Sequence, residues 1–320
     1  MAISSMREAG RGALLAATLV AGISAASYAV EIQGHRGARG LLPENSLPAF
    51  AKALDLGVDV LELDTVITAD GIAMIHHDRA LSPELARRNG SWIEAAVPLR
   101  SLTAEELATY DIGRIRPGSR YEKRFPEQKP LDGTKIPRLA ELFRLIGDRA
   151  DLNVRFNIET KRSPLHPSDT PDPETFARTV IDTAREADMA HRIALQSFDW
   201  STLIAAKRID PAIPTVCLTA EARWLDNLEI GRDGASPWLG GLDIDDHGGS
   251  VQKTVKAAGC AVWSPYYRNV TKDAVDAAHD EGLTVVVWTV NETADMKRMV
   301  ELGVDGIITD YPDRAAQIRQ

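Results

Sequence analysis

The chain has 320 residues, 44% of them hydrophobic, and a formal net charge of −9. Such a chain can bury one large core, and a single barrel of ordinary size would use most of it. The acidic balance excludes general nucleic-acid binding, so an anionic substrate would have to be met by a few local cations or a bound metal.

Residues 1–29 read as an export signal: Arg7 and Arg11 precede an apolar run from Ala13 to Ala26, and the small residues Ser27 and Ala29 follow near a cleavage point. The run is short for a bilayer span. The expected destination is the periplasm or the medium, with residues 30–320 as the mature domain and no stable membrane insertion.

From residue 30 onward, short β-branched runs alternate with helical patterns, as βα units do. Eight strands are predicted: Glu31–Gly34, Val60–Asp64, Asn153–Thr160, Ile193–Ser197, Thr215–Leu218, Ala261–Ser264, Thr284–Thr289 and Gly306–Thr309. Helices are predicted over Ser46–Leu56, Pro173–Ala187, Trp200–Ile209, Thr271–Glu281 and Thr293–Leu302. Eight strands with intervening helices favour an α/β fold closed as a (β/α)₈ TIM barrel.

Two departures interrupt the alternation. After the second strand, Ala69-Asp70-Gly71 makes a tight turn and Ile72–His77 returns as a hairpin strand, because so short a connection cannot make a parallel crossover. A long connection then runs from about 79 to 137 before a helix over Arg138–Ile146, and a loop of that length on a barrel is expected to cap the active site. Cys217 late in one strand and Cys260 early in the next fall at opposite ends of the barrel wall, so two buried free thiols are expected rather than a disulfide.

Barrel chemistry sits at the C-terminal ends of strands. Here the first strand ends in His35-Arg36-Gly37, the second in Glu62-Leu63-Asp64, the hairpin in His77-Asp78 and the third in Glu159-Thr160-Lys161. Glu62 and Asp64 share one face of their strand, and with Glu159 they make an oxygen-only set suited to Mg²⁺ or Ca²⁺, unless arginines pair with them instead. His35 and His77 titrate near neutrality and suit a base and an acid on either side of a phosphorus atom, whereas His76 points to the other face. Arg36 and Lys161 supply positive charge, either to phosphate oxygens or as salt-bridge partners of the carboxylates.

This ordered set, with Pro43-Glu44-Asn45-Ser46, Asn157-Ile158-Glu159, Gln196-Ser197-Phe198, Trp288-Thr289-Val290-Asn291 and Asp305 to Pro312, resembles the motif series of the glycerophosphodiester phosphodiesterase family across nearly all of the mature chain. The resemblance implies that Glu62, Asp64 and Glu159 bind one divalent metal and that His35 is the general base and His77 the acid. It implies that Arg36 and Lys161 contact the phosphate and that Glu44 orients Arg36 or approaches the metal. Gln196, Phe198 and Trp288 are expected at the substrate, the two aromatic residues walling a glycerol pocket. Ser46, Ala69 and Arg138 depart from the family pattern without touching a proposed ligand.

The expected reaction is metal-dependent hydrolysis of a small glycerophosphodiester to sn-glycerol 3-phosphate and an alcohol. A lipid-cleaving relative on the same barrel is disfavoured because no exposed apolar loop is evident. A non-catalytic binder would not need two histidines beside three carboxylates.

Overall fold

The structure, a computed structural model, describes Met1 and residues 30–151, 153–315 and 317–318, so all of the predicted export signal except Met1 lies outside the described residues. Eight parallel strands form the wall: β1 (Glu31–His35), β2 (Val60–Ile67), β3 (Arg155–Thr160), β4 (Ile193–Ser197), β5 (Thr215–Thr219), β6 (Val262–Pro265), β7 (Thr284–Val287) and β8 (Gly306–Thr309). Pairing of β1 with both β2 (His35 opposite Glu62) and β8 (Gly34 opposite Thr309) closes the barrel and leaves none of the eight as an edge.

The outward faces of the strands are largely apolar because helices cover them. Leu61, Leu63, Phe156, Ile158 and Leu195 are no more than 1% exposed and join one core with the helices. Each such side chain contributes about 1.5–3 kcal/mol on burial. The helix Pro173–Glu186 shows why sequence and layer agree. Asp172 caps it by accepting from Glu174 N and Thr175 N, proline opens it, and Phe176, Ala177, Val180, Ile181 and Ala184 form its buried stripe.

Inside the barrel several inward positions of β1 to β4 are polar. Asn157 Nδ2 donates to Gln33 Oε1 at 2.9 Å and to Gln196 Oε1 at 3.0 Å, and Gln196 Nε2 donates to Glu62 Oε1 at 2.6 Å. An amide chain thus occupies space usually filled by Val, Ile or Leu, and it ends on a strand-end carboxylate.

The predicted hairpin is present, with Ala73–Ile75 antiparallel to the extended end of β2. The long connection is more structured than a loop. It forms short antiparallel pairs (Ala80–Leu81 with Val97–Pro98, Arg87–Arg88 with Ser91–Trp92 and Tyr110–Asp111) and two short helices, Ala104–Leu107 and Arg120–Arg124. A separate apolar cluster of Val66, Met74, Leu81, Leu99, Leu107 and Ile136 holds it on the hairpin.

The cysteine expectation is corrected. Cys217 and Cys260 form a disulfide with a Cα separation of 5.9 Å. Val216 and Leu218 line the barrel interior, so Cys217 alternates outward toward the helical layer. Cys260 lies not in the wall but in the turn between the helix Val251–Ala257 and β6, where that layer meets the strands. Level registers along a flat wall, which the expectation assumed, ignore this radial displacement.

Candidate active site

The carboxyl ends of the strands open into a cavity of about 670 Å³ whose lining includes His35, Arg36, Glu44, Glu62, His77, Glu159, Lys161, Gln196, Phe198 and Trp288. Every residue predicted for the site except Asp64 lines it, and Asp64 lies buried at its floor.

The turn after β1 shapes the centre. Arg36 and Asn45 adopt left-handed backbone conformations, φ 51° and 53°, that side-chain-bearing residues seldom take. Arg36 N donates to Glu62 Oε2 at 2.9 Å, and Asn45 Nδ2 donates to Asp64 Oδ2 at 2.9 Å. Gly37, φ 82°, is required because a Cβ there would stand 2.6 Å from the Ala49 carbonyl carbon. The unusual backbone therefore aims donors at two carboxylates.

Ligand oxygens of Glu62, Asp64 and Glu159 lie within 4.8 Å of one another, and all three residues are buried. Burial, then the charges of Asp64 and Glu159, push Glu62 well above the ordinary carboxylate range. Burial pushes Glu159 up to about 7 although Lys161 opposes it. Asp64 goes the other way: burial works against its charge, but Arg36, His77 and Lys161 hold it well below the usual range. Asp64 Oδ1 is buried without a hydrogen-bond partner, with Lys161 Nζ at 3.5 Å. Two carboxyls forced toward the neutral form beside an orphaned carboxylate oxygen fit a hard divalent cation, which oxygen donors alone can hold.

The two cations pair with carboxylates, the alternative that sequence left open. Arg36 Nη1 is 2.7 Å from Glu44 Oε1 and Nε is 3.1 Å from Asp64 Oδ2, while Lys161 Nζ is 2.7 Å from Glu159 Oε1. Glu44 orients Arg36 and also accepts from the Tyr121 hydroxyl, which reaches in from the helix Arg120–Arg124.

Both histidines are set by carboxylates. His35 Nδ1 donates to Asp310 Oδ1 at 2.6 Å and His77 Nδ1 to Asp78 Oδ1 at 2.7 Å, which leaves each Nε2 unprotonated in the neutral ring. Burial, then Arg39, lowers His35 to about 4. Partial burial, then Arg36 and Lys161, lowers His77 to about 3. His76 takes the other face, as expected, and its Nδ1 donates to Asp78 O at 2.8 Å.

Sequence reasoning assigned no role to several residues here. Asp310 at the end of β8 receives Arg39 through Nε at 2.6 Å and Nη2 at 3.0 Å, and Asn291 Nδ2 at 2.7 Å. The same strand-end inventory, continued past the third strand, would have reached Asp310 and Asn291. Tyr121 and Trp224 had no such signal, because a short helix of the long connection carries the first and the turn of a short hairpin the second. Trp224 and Leu165, 60% and 59% exposed, border one groove at the rim, which corrects the expectation that no apolar loop is exposed.

The glycerophosphoryl diester phosphodiesterase family profile matches residues 35–314. A glycerophosphodiester phosphodiesterase of Caldanaerobacter subterraneus subsp. tengcongensis is 29% identical over 280 residues, 87% of this chain and 93% of that protein. A solved Silicibacter pomeroyi protein bearing a provisional glycerophosphoryl diester phosphodiesterase name is 35% identical, with a TM-score of 0.81 over 91% of this chain and 93% of that one. An Oleispira antarctica phosphodiesterase solved with the product sn-glycerol-3-phosphate shares the fold, with TM-score 0.65, 19% identity, and coverage of 90% and 96%.

Proposed function

The chain belongs to the glycerophosphoryl diester phosphodiesterase family and is a phosphodiesterase of that kind, and from this premise we propose that it releases sn-glycerol 3-phosphate and an alcohol by proton transfer through His35 and His77. One observation carries the reading: two imidazoles, each held at Nδ1 by its own carboxylate, line the same cavity as the three-carboxylate cluster.

Glu62, Asp64 and Glu159 would hold one Mg²⁺ or Ca²⁺. When bound, such an ion neutralises charge at the phosphoryl oxygens. Arg36 and Lys161, already fixed by Glu44 and Glu159, present N–H donors to the same oxygens. His35 Nε2 takes the proton of the attacking hydroxyl, whether of water or of the substrate's own glycerol. As the phosphorus–oxygen bond to the alcohol breaks, His77 Nε2–H protonates the departing oxygen. Burial and the two cations keep His77 neutral in the free site, so the negative phosphodiester itself favours the protonated form that the acid step needs. Phe198 and Trp288, in edge contact at 5.3 Å, wall the organic part of the substrate, and Gln196 holds Glu62.

We also propose export. The segment over residues 1–29 supports it, and so does the Cys217–Cys260 disulfide, which persists in oxidising compartments. No helix among the described residues is long and apolar enough to cross a membrane. The test of function is release of sn-glycerol 3-phosphate from a panel of glycerophosphodiesters, with and without chelator. Release that needs a divalent cation supports the reading, and no release from any member overturns it.

A further inference from the structure

Opposite the carboxylates the cavity is walled by aromatic rings. Trp224, Tyr266 and Trp288 stand with centroids 5.5 Å apart (Trp224 and Tyr266), 6.0 Å (Trp224 and Trp288) and 5.5 Å (Tyr266 and Trp288). The wall is rigid. Trp288 Nε1 donates to Ser264 O at 2.9 Å, and Tyr266 N donates to Thr219 O at 2.9 Å. Trp224 lies at the turn between the paired strands Glu221–Ala222 and Leu225–Asp226, whose base is tied down by Glu221 N donating to Asn269 Oδ1 at 3.1 Å.

The remaining tyrosines of the cavity already carry cations of the chain: Arg124 lies over Tyr121 and Arg268 over Tyr267. Among the described residues no arginine or lysine stacks on Trp224, Tyr266 or Trp288, yet Trp224 is held in place with 60% of its surface open. Rings of this kind attract a cation to their faces through the quadrupole. The carboxylates lining the cavity belong to the metal cluster and to the Arg36, His35 and His77 pairings. Of those that share the rim groove with Trp224, Asp226 accepts from Leu228 N and Glu229 N, Glu229 pairs with Arg232, and burial, then Asp226, pushes Glu221 up. A quaternary trimethylammonium, which has no N–H donors to satisfy, suits the wall better.

We infer that Trp224, Tyr266 and Trp288 form a subsite for a quaternary trimethylammonium group on the alcohol arm of the substrate. The inference rests on the proposed hydrolysis of glycerophosphodiesters and names the alcohol class that this site prefers.

The experiment compares sn-glycero-3-phosphocholine with its 3,3-dimethylbutyl carbon isostere, equal in shape and lacking only the charge. Wild-type kcat/KM should favour the cation by about 2- to 30-fold, the span of aromatic–cation attraction from exposed to desolvated sites. Trp224→Ala should bring that ratio close to one, and Trp224→Phe should keep most of it. A wild-type ratio near one, or a ratio unchanged in Trp224→Ala, overturns the subsite. Calorimetric binding of the same two diesters to chelated protein reads the subsite apart from turnover. Preferential binding of the cation that is lost in Trp224→Ala supports the subsite even if neither diester is cleaved, and equal binding of the two overturns it. Failure to cleave any glycerophosphodiester strikes the proposed reaction, not the wall.

Discussion

His35 Nδ1 lies 2.6 Å from Asp310 Oδ1, and that carboxylate is itself clamped by Arg39 and Asn291. Burial works against the charge of Asp310, but Arg39 and His35 outweigh it and hold the carboxyl well below its usual range. Asp310 therefore stays an acceptor, His35 keeps its proton on Nδ1, and the lone pair on Nε2 faces the cavity.

Asp310→Asn tests this positioning. An amide can satisfy either tautomer, so the wrong one becomes available, and kcat should fall by about 10²–10⁴ with little change in KM, as for a triad aspartate. Arg39 also loses its counter-charge, which costs about 3–5 kcal/mol of stability for a buried pair broken on one side. Arg39→Lys should lose stability while keeping most of kcat. Equal kcat losses in the two variants would reduce Asp310 to a structural residue.

The metal cluster gives a pH-dependent thermal shift. Glu159 is raised from 4.5 to about 7 in the metal-free fold, so the stability its proton contributes is complete below 4.5 and is lost as pH rises through about 7. A divalent cation takes the place of that proton. Added Mg²⁺ or Ca²⁺ should raise Tm only slightly at pH 5 and markedly at pH 7.5, and chelation should abolish turnover. A shift that is flat across this range, or full activity after exhaustive chelation, argues against the three-carboxylate site.

The disulfide closes a loop of 43 residues, which in the chain-entropy account stabilises by about 4 kcal/mol. Replacing Cys217 and Cys260 together by Ser should lower the denaturant midpoint accordingly while leaving turnover intact, since neither residue lines the cavity. Wild-type protein with the bond reduced should match the double variant. Identical midpoints for reduced and oxidised protein would mean that the bond contributes nothing.

What was legible in the sequence followed from periodicity and from strand ends. The eight strands, the hairpin and the convergence of His35, Glu62, Asp64, His77 and Glu159 all come from local rules, because a strand end fixes which way its last side chains point. Three things did not. The Cys217–Cys260 bond depends on how far the turn before β6 stands outside the wall, a radial coordinate that no period reports. For Arg36 and Lys161 the sequence left phosphate contact and ion pairing both open, and only the fold brings Glu44 and Glu159 to 2.7 Å from them. The aromatic rim depends on a hairpin too short to leave a pattern.

The segment around 117–130 of the long connection, expected from sequence only as part of a cap, is tied to the barrel. Phe125 is 3% exposed beneath Arg39, Gln128 Nε2 donates to Arg39 O at 2.8 Å, and Lys129 N donates to Leu41 O at 2.9 Å. Deleting it should cost stability as well as change substrate preference. Tyr121→Phe is the cleaner probe: it removes one hydrogen bond to Glu44, worth about 1.5–3 kcal/mol to a charged group. Arg36 then loses part of its orientation, and KM should rise several-fold with kcat nearly kept. An unchanged KM would show that the cap does not tune the phosphate site.

The last prediction separates the two histidines. His77 comes from the hairpin side and His35 from β1, each with its own carboxylate, so the two can serve opposite sides of the phosphorus atom. An acid matters only when the leaving oxygen is strongly basic, since an alkoxide needs a proton and a nitrophenolate does not. His77→Ala should therefore slow a glycerophosphodiester by about 10²–10⁴ and a p-nitrophenyl phosphodiester far less. His35→Ala should slow both, because the nucleophile must lose its proton whichever group departs. If the nitrophenyl ester rescues His35→Ala instead, the roles are exchanged. If it rescues neither variant, these imidazoles contribute something other than proton transfer, and the carboxylates that hold their Nδ1 atoms must be read as supporting binding alone.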